Sequence, residues 1–329
     1  MKKSIYLGFD IGGTKIAISL GNTRGRLIGS SRVVSRDKTP DEVLPEIVKA
    51  GRKLISDHGY SGLDLRAIGI GAPAPMDIRK GTISPCNMPA WKNVEIQDYL
   101  SKEFVIEAFF DNDANAGALA EWLFGSGYGC QDMVYLTLST GIGGGIIANG
   151  KLVVGESLLA GEMGHVILDI DGPLCNCGNR GCYEAFCGGM AIANRMKEEL
   201  VGLHDCRLAQ IAGGLEKVDI YALEKGVRES EPYSLGMWQR MCLRHAQAIG
   251  GIINTLGPKR IVLGTLAHAT KDIFMPPVLK EVPRFCFSNL HECCEITTTS
   301  LGREIGEYSG IAVALYGLHK RGEWPLPWK

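Results

Sequence analysis

Three groups of residues have types and spacings suited to chemistry. The first, Asp10-Ile11-Gly12-Gly13-Thr14-Lys15, sets a carboxylate at the end of an apolar run, then two glycines, a hydroxyl and a cation. Glycine lets backbone N–H groups approach an anion closely, so these are the parts of a phosphate cradle. A plain Gly-Gly hairpin turn would use the same glycines. Ser139-Thr140-Gly141-Ile142-Gly143-Gly144-Gly145 repeats the theme with four glycines in five residues, more than a hairpin requires. Two such loops could clamp a polyphosphate from both sides. The second group, Asp111-Asn112-Asp113, falls where an apolar run meets a helical pattern. These side chains either cap the helix or supply a general base. With a phosphate nearby the base gains weight, because a hydroxyl being phosphorylated needs an acceptor for its proton.

The third group is His165, Cys175, Cys177 and Cys182, spaced H-x9-C-x-C-x4-C in a segment rich in Gly, Pro and Asn. One imidazole and three thiolates suit a closed tetrahedral zinc site, with coincidental free thiols as the alternative. Glu162 and Glu184 flank the set, so one Zn2+ would order a loop carrying two carboxylates, and its imidazole could donate the other ring proton to a ligand. Two familiar nucleotide patterns fail. The Walker sequence is absent. Gly69-Ile70-Gly71-Ala72-Pro73-Ala74 fits G-x-G-x-x-A, but Pro73 and Pro75 forbid the helix that would receive a pyrophosphate.

The elements that must position these groups begin as a meander. Strands are predicted over Ser4–Asp10 and Lys15–Leu20, with tight turns at Ile11–Thr14 and Gly21-Asn22 and a third strand through Val34. A helix follows over Asp41–Ser56, a buried strand over Ala67–Ala72, a shaped loop over 73–95, a strand over Val105–Phe110 and a helix through Trp122. Met133–Ser139 and Ile146–Asn149 are expected as strands around the turn Thr140–Gly145, a unit that echoes the first. Beyond residue 186 the pattern is mostly helical, at 189–200, 217–229, 234–255 and 305–319, with a strand at Arg260–Leu263. A hinge is expected near Asn112–Ala118, and the last helix is expected to return to the first domain.

The chain has 329 residues, 35 Lys and Arg against 36 Asp and Glu, and a formal charge of −1. Such a length allows about two domains, each able to bury a core without disulfides. The balance lacks the basic footprint of a nucleic-acid or anionic-membrane partner, which leaves a small molecule as the expected one. No run of apolar residues is long enough to span a bilayer. Met1-Lys2-Lys3 leads into no signal-peptide pattern, and the eleven cysteines are odd in number and mostly scattered, so a reducing cytoplasmic setting is expected.

Together these motifs resemble the ROK family (repressors, open reading frames and kinases), and within it the bacterial glucokinase-type sugar kinases that use ATP. Asp10–Lys15 resembles the family's first phosphate loop. Gly141–Ile146, continuing through Gly155 to Gly161-Glu162-Met163-Gly164-His165, resembles its signature, and Cys175–Glu184 its zinc motif. Asp111–Ala116 resembles its catalytic segment, and Pro85-x-Asn87-x-x-Ala90-Trp91 its sugar-side loop. The resemblance implies an α/β fold of two actin-like (ribonuclease-H-like) domains around a cleft, with a zinc-bound loop in the larger one. It places the smaller domain at 1–113, with a returning helix at about 304–329, and the larger at 114–303.

The implied reaction is ATP-dependent phosphorylation of a hexose at the 6-hydroxyl, most directly D-glucose, with N-acetylmannosamine, N-acetylglucosamine or fructose as alternative acceptors. Asp113 is the implied base. Asn87, Asn112, Glu162, His165 and Glu184 are the implied sugar ligands. ATP and Mg2+ fall to Asp10, Gly12, Gly13, Thr14, Lys15, Thr140, Gly141, Gly143 and Gly264, and structural Zn2+ to His165, Cys175, Cys177 and Cys182. A homodimer or dimer of dimers is implied as well. Three departures stand out: Ala74 and Thr265 where the family has glycine, and Cys187 where serine is common. The family's sugar-responsive repressors carry a DNA-binding segment of roughly 60 to 90 residues ahead of the first strand. Three residues precede Ser4 here, so the kinase is the expected class.

Overall fold

The computed structural model describes residues 5–22, 24, 26–202 and 206–328. The predicted meander forms as β1 (Ile5–Ile11), β2 (Lys15–Asn22) and β3 (Leu27–Val34). β2 runs through the expected Gly21-Asn22 turn, and the Asn22 Oδ1 accepts the N–H groups of Arg24 and Arg26 just beyond it. Helix α1 (Pro40–Asp57) leads to β4 (Leu65–Ala72). The segment expected as a loop over 73–95 contains a short hairpin, β5 (Met76–Asp77) with β6 (Thr82–Ile83).

A helix then appears that the sequence reading left out, α2 (Ile96–Phe104), whose Ile96 and Leu100 lie one turn apart and are buried. It displaces the strand expected from Val105, which instead ends the helix at φ +52° and is exposed. The strand is β7 (Ala108–Asn112), followed directly by α3 (Asp113–Phe124).

The second half opens with β8 (Met133–Leu138), β9 (Ile142–Ala148) and β10 (Lys151–Leu152). The expected Thr140–Gly145 turn is therefore wrong in extent: only Ser139–Gly141 turns, and Gly143, Gly144 and Gly145 lie inside β9. The reason is close packing of α3, because a Cβ on Gly145 would sit 2.5 Å from Ala118 Cβ and 3.0 Å from the Ala114 carbonyl. Helices α4 (Tyr183–Cys187), α5 (Gly189–Leu200), α6 (Arg207–Ala212), α7 (Ile220–Arg228) and α8 (Pro232–Leu256) follow. After β11 (Arg260–Leu263) come α9 (Leu266–Ala269), α10 (Lys271–Glu281), α11 (Ser288–Glu292), β12 (Glu295–Thr298) and α12 (Ile305–Lys320).

The larger strands form two five-stranded sheets, ordered β3-β2-β1-β4-β7 and β10-β9-β8-β11-β12. In each, three antiparallel strands are extended by two parallel ones, so β8 and β9 repeat β1 and β2 and the two glycine turns occupy equivalent places. Helices α3 and α12 share one core with residues from both sheets, among them Tyr6, Ala67, Tyr135 and Val262. A second core lies under α1 and α2, and a third joins the other sheet to α5, α8 and α10. The approach of α12 to the first sheet is so close that a Cβ on Gly69 would meet the Gly310 carbonyl oxygen at 2.0 Å. At the start of α12 a Cβ on Gly306 would meet Asp10 Oδ2 at 2.5 Å, so the helix begins beside the end of β1.

Candidate active site

The first glycine turn is held from behind: the Ser35 hydroxyl donates to the Gly12 carbonyl at 2.6 Å, and the Ser35 and Arg36 N–H groups donate to Thr14. Asn87 lies against its front, since a Cβ on Gly13 would meet the Asn87 Nδ2 at 2.5 Å. Gly13, Thr14, Arg36, Lys38 and Asn87 border a cavity of about 470 Å3. Asn87 thus stands beside the first turn, bordering that cavity with Arg36 and Lys38.

The second turn is pinned by α5 and α4. Gly189 and Met190 donate their N–H groups to the Ser139 and Thr140 carbonyls, and Glu184 Oε2 accepts the Ile142 N–H at 2.7 Å. Glu184 thus lies directly beneath Gly141. Thr140 borders a cavity of about 440 Å3 shared with Glu184, Asn176 and Arg195. It also borders one of about 310 Å3 shared with Leu138, Met190, Tyr221 and Thr265. Gly264 stands beside the second of these, and a Cβ there would meet the Tyr135 hydroxyl at 2.5 Å.

Between the turns, the polar cluster divides its labour. Asn112 is the cap: its Oδ1 accepts the Asn115 N–H at 2.6 Å. Asp111 is buried and accepts from Asn115 Nδ2 and the Asn112 N–H, a structural role. Asp113 is left as the first helical residue with its carboxylate open to the cleft. Loss of bulk water around it, followed by the charge of Glu162, pushes its carboxyl up to about 6, against opposing backbone N–H groups. Asp10 is pushed up to about 7, by burial first and then by the charges of Asp113 and Glu307, with Lys15 pulling the other way. Glu307, at the start of α12, is buried and bonded to Arg32 of β3. Sequence reasoning missed this pair, which is 275 residues apart and carries no local signal.

His165, Cys175, Cys177 and Cys182 bring their ligand atoms within 4.8 Å of one another. Cys175 Sγ lies 3.7 Å from His165 Nδ1, and Cys177 Sγ 3.6 Å from Cys182 Sγ. Zn–S bonds of about 2.3 Å arranged tetrahedrally put sulfurs roughly 3.8 Å apart, so the donor set fits zinc in chemistry and spacing. The cluster reaches the site through the 3-10 turn Met163–His165, where Gly164 packs on the Ile142 carbonyl and the His165 N–H donates to that of Glu162.

A chain with two glycine turns, an open helix-start aspartate and this donor set has known relatives. It is 31% identical to a glucokinase of Thermotoga maritima over 93% of this chain and 96% of that one. Its fold superposes on the ROK hexokinase of Thermus thermophilus with a TM-score of 0.83 at 27% identity, covering 96% of this chain and 99% of that one. The ROK family glucokinase of Streptomyces griseus, solved with glucose and AMPPNP, gives 0.77 at 25% identity, covering 94% and 99%. The ROK family model matches residues 6–314, and the chain belongs to that family.

Proposed function

We propose that this protein phosphorylates a hexose at its 6-hydroxyl with ATP, and that D-glucose is the preferred acceptor. The observation that carries the reading is Asp113: a carboxylate open to the cleft, between two glycine turns, with a carboxyl near 6. That places it largely ionised at neutral pH and still basic enough to accept a proton. The complex of the Streptomyces griseus relative with glucose and AMPPNP supports the same pair of ligands here.

The sugar is held by Asn87, the Nδ2 of Asn112, Glu162, His165 and Glu184. The backbone of Gly12, Gly13 and Gly141, with the side chains of Thr14, Lys15 and Thr140, holds the triphosphate, and Gly264 borders its nucleoside end. Gly143 belongs to the strand that supports the second turn. Asp113 takes the 6-hydroxyl proton as that oxygen bonds to the γ-phosphorus and the bond to the bridging oxygen of ADP breaks. Positioning and charge stabilisation supply most of the acceleration. Asp10, crowded by Asp113 and Glu307, is the residue suited to holding the divalent cation that accompanies ATP. That cation would neutralise phosphate charge. Zn2+ at His165 Nδ1 and the three thiolates would fix the loop, leaving His165 Nε2–H to face the sugar.

In such an enzyme the chain divides into an actin-like domain at 1–113 plus the helix from about 304, and a larger one at 114–303. These close about the segment Asn112–Ala118 to exclude water. The proposed enzyme is a cytoplasmic homodimer or dimer of dimers. The test of the substrate is kcat/KM across glucose, N-acetylmannosamine, N-acetylglucosamine and fructose with ATP. Glucose is expected to be highest; a higher value for any other sugar overturns the choice of acceptor and leaves the chemistry standing.

A further inference from the structure

Three polar side chains on one turn of α8 reach the segment that carries the His165, Cys175, Cys177 and Cys182 donor set. Arg244 Nη2 donates to Asp169 Oδ2 at 3.0 Å, Gln247 Nε2 donates to the Leu168 carbonyl at 3.0 Å, and His245 Nδ1 lies 2.5 Å from the Tyr183 hydroxyl. The third contact lies in the core. Tyr183 and His245 are both fully buried, with their rings edge to face at 5.4 Å and His245 packed on Phe274 at 4.9 Å. Burial pushes the imidazole down to about 3, so the ring is neutral, and its Nε2 has no partner among the described residues. A phenylalanine and a leucine would fill the same space with no polar group to satisfy, so packing alone does not account for the pair.

Tyr183 stands between Cys182, the last of the donor set, and Glu184, proposed above as a sugar ligand. A metal bond to Cys182 Sγ would fix one atom and leave the chain free to turn about it. Helix α4, which begins at Tyr183, is five residues long and too short to hold a direction by itself. A second fixed point on the next residue removes that freedom. The Tyr183 N–H donates to the Val166 carbonyl at 2.8 Å, and its hydroxyl is bound to α8. With both ends of Tyr183 held, Glu184 is directed onto the Ile142 N–H at 2.7 Å, beneath Gly141.

We infer that Tyr183 and His245 are positioning residues for the hexose: their hydrogen bond sets the rotation of α4 and with it the place of the Glu184 carboxylate. Neither touches the sugar, and both act through Glu184. This rests on the proposed hexose-kinase activity.

KM for glucose and for ATP, kcat, zinc content and Tm are measured in wild type, Tyr183→Phe, His245→Asn and the double variant Tyr183→Phe/His245→Leu. Tyr183→Phe should raise KM for glucose about tenfold, with KM for ATP and zinc content unchanged. In the double variant no polar atom of the pair is left unpaired, so Tm should return to the wild-type value or above while KM for glucose stays raised. His245→Asn keeps a hydrogen-bonding atom where Nδ1 stands and loses ring volume, so Tm should fall while KM for glucose stays near wild type. A purely structural pair gives the opposite pattern, with KM for glucose following Tm in all three variants. That pattern, a wild-type KM for glucose in Tyr183→Phe, or loss of its zinc, overturns the inference while wild-type turnover keeps the kinase. A wild-type protein that neither binds glucose nor consumes ATP with any hexose overturns both.

Discussion

The negative charge of Asp113, at the first turn of α3, adds to burial in opposing ionisation of Asp10, at the end of β1; burial first raises Asp10 to about 7 and Asp113 to about 6. The sheets and helices that bring them together bury an excess of negative charge where a metal-bound triphosphate would be received. In the proposed mechanism both acids must be ionised for the free enzyme to act. kcat/KM for ATP should therefore fall below pH 7 with a slope that steepens past one as pH drops below 6. At saturating ATP and magnesium, positive charge favours the Asp10 carboxylate, and kcat should show one limb near pH 6. Initial rates across pH 5 to 9 check this; profiles flat down to pH 5 would contradict it.

The same burial has a stability signature. Asp10 has a folded value raised from 3.8 to about 7, so its contribution to stability is complete below about pH 4 and is lost as pH rises through 7. Asp10→Asn mimics the protonated form. Its Tm should match that of wild type near pH 4, pull ahead between pH 4 and 7, and stay ahead above. Melting curves of the apo protein at four pH values decide the sign.

Zinc should be present at one atom per chain in freshly purified protein. Cys177→Ser should lower metal content and weaken sugar binding together, because Glu162, His165 and Glu184 lose a common frame. Elemental analysis alongside glucose titration reads both quantities. Full sugar affinity in metal-free protein would show that the loop holds itself.

Much of the site was legible because its parts are local in sequence. The β1–β2 hairpin, the H-x9-C-x-C-x4-C set and the polar cluster at the start of α3 each lie within a few turns of chain. What sequence alone blurred depends on packing between distant segments. Gly143–Gly145 look like loop residues, and only the closeness of Ala114 and Ala118 explains their place in a strand. Arg32 and Glu307 have no sequence signal linking them. The omission of α2 is different: Ile96, Tyr99 and Leu100 do carry a helical period, but over nine residues it gives only two turns of pattern.

The contact that seats α12 should tolerate almost no added volume. A Cβ on Gly310 would lie 2.4 Å from the Phe9 N and 2.6 Å from the Gly8 Cα. Gly310→Val should cost ~3 kcal/mol or more and displace Asp10 with it, whereas Gly236→Ala, in open space on α8, should be neutral or slightly stabilising. Urea denaturation of both variants separates them.

The proposed chemistry turns on Asp113 as the base for phosphoryl transfer to the hexose 6-hydroxyl. The direct measurement is the rate of glucose 6-phosphate formation from ATP and D-glucose by wild type and Asp113→Asn, with KM for glucose from the same data. The expected wild-type product is the 6-phosphate, with kcat lowered by roughly 10²-fold or more in the variant and KM changed far less. Near-normal turnover by Asp113→Asn would contradict it.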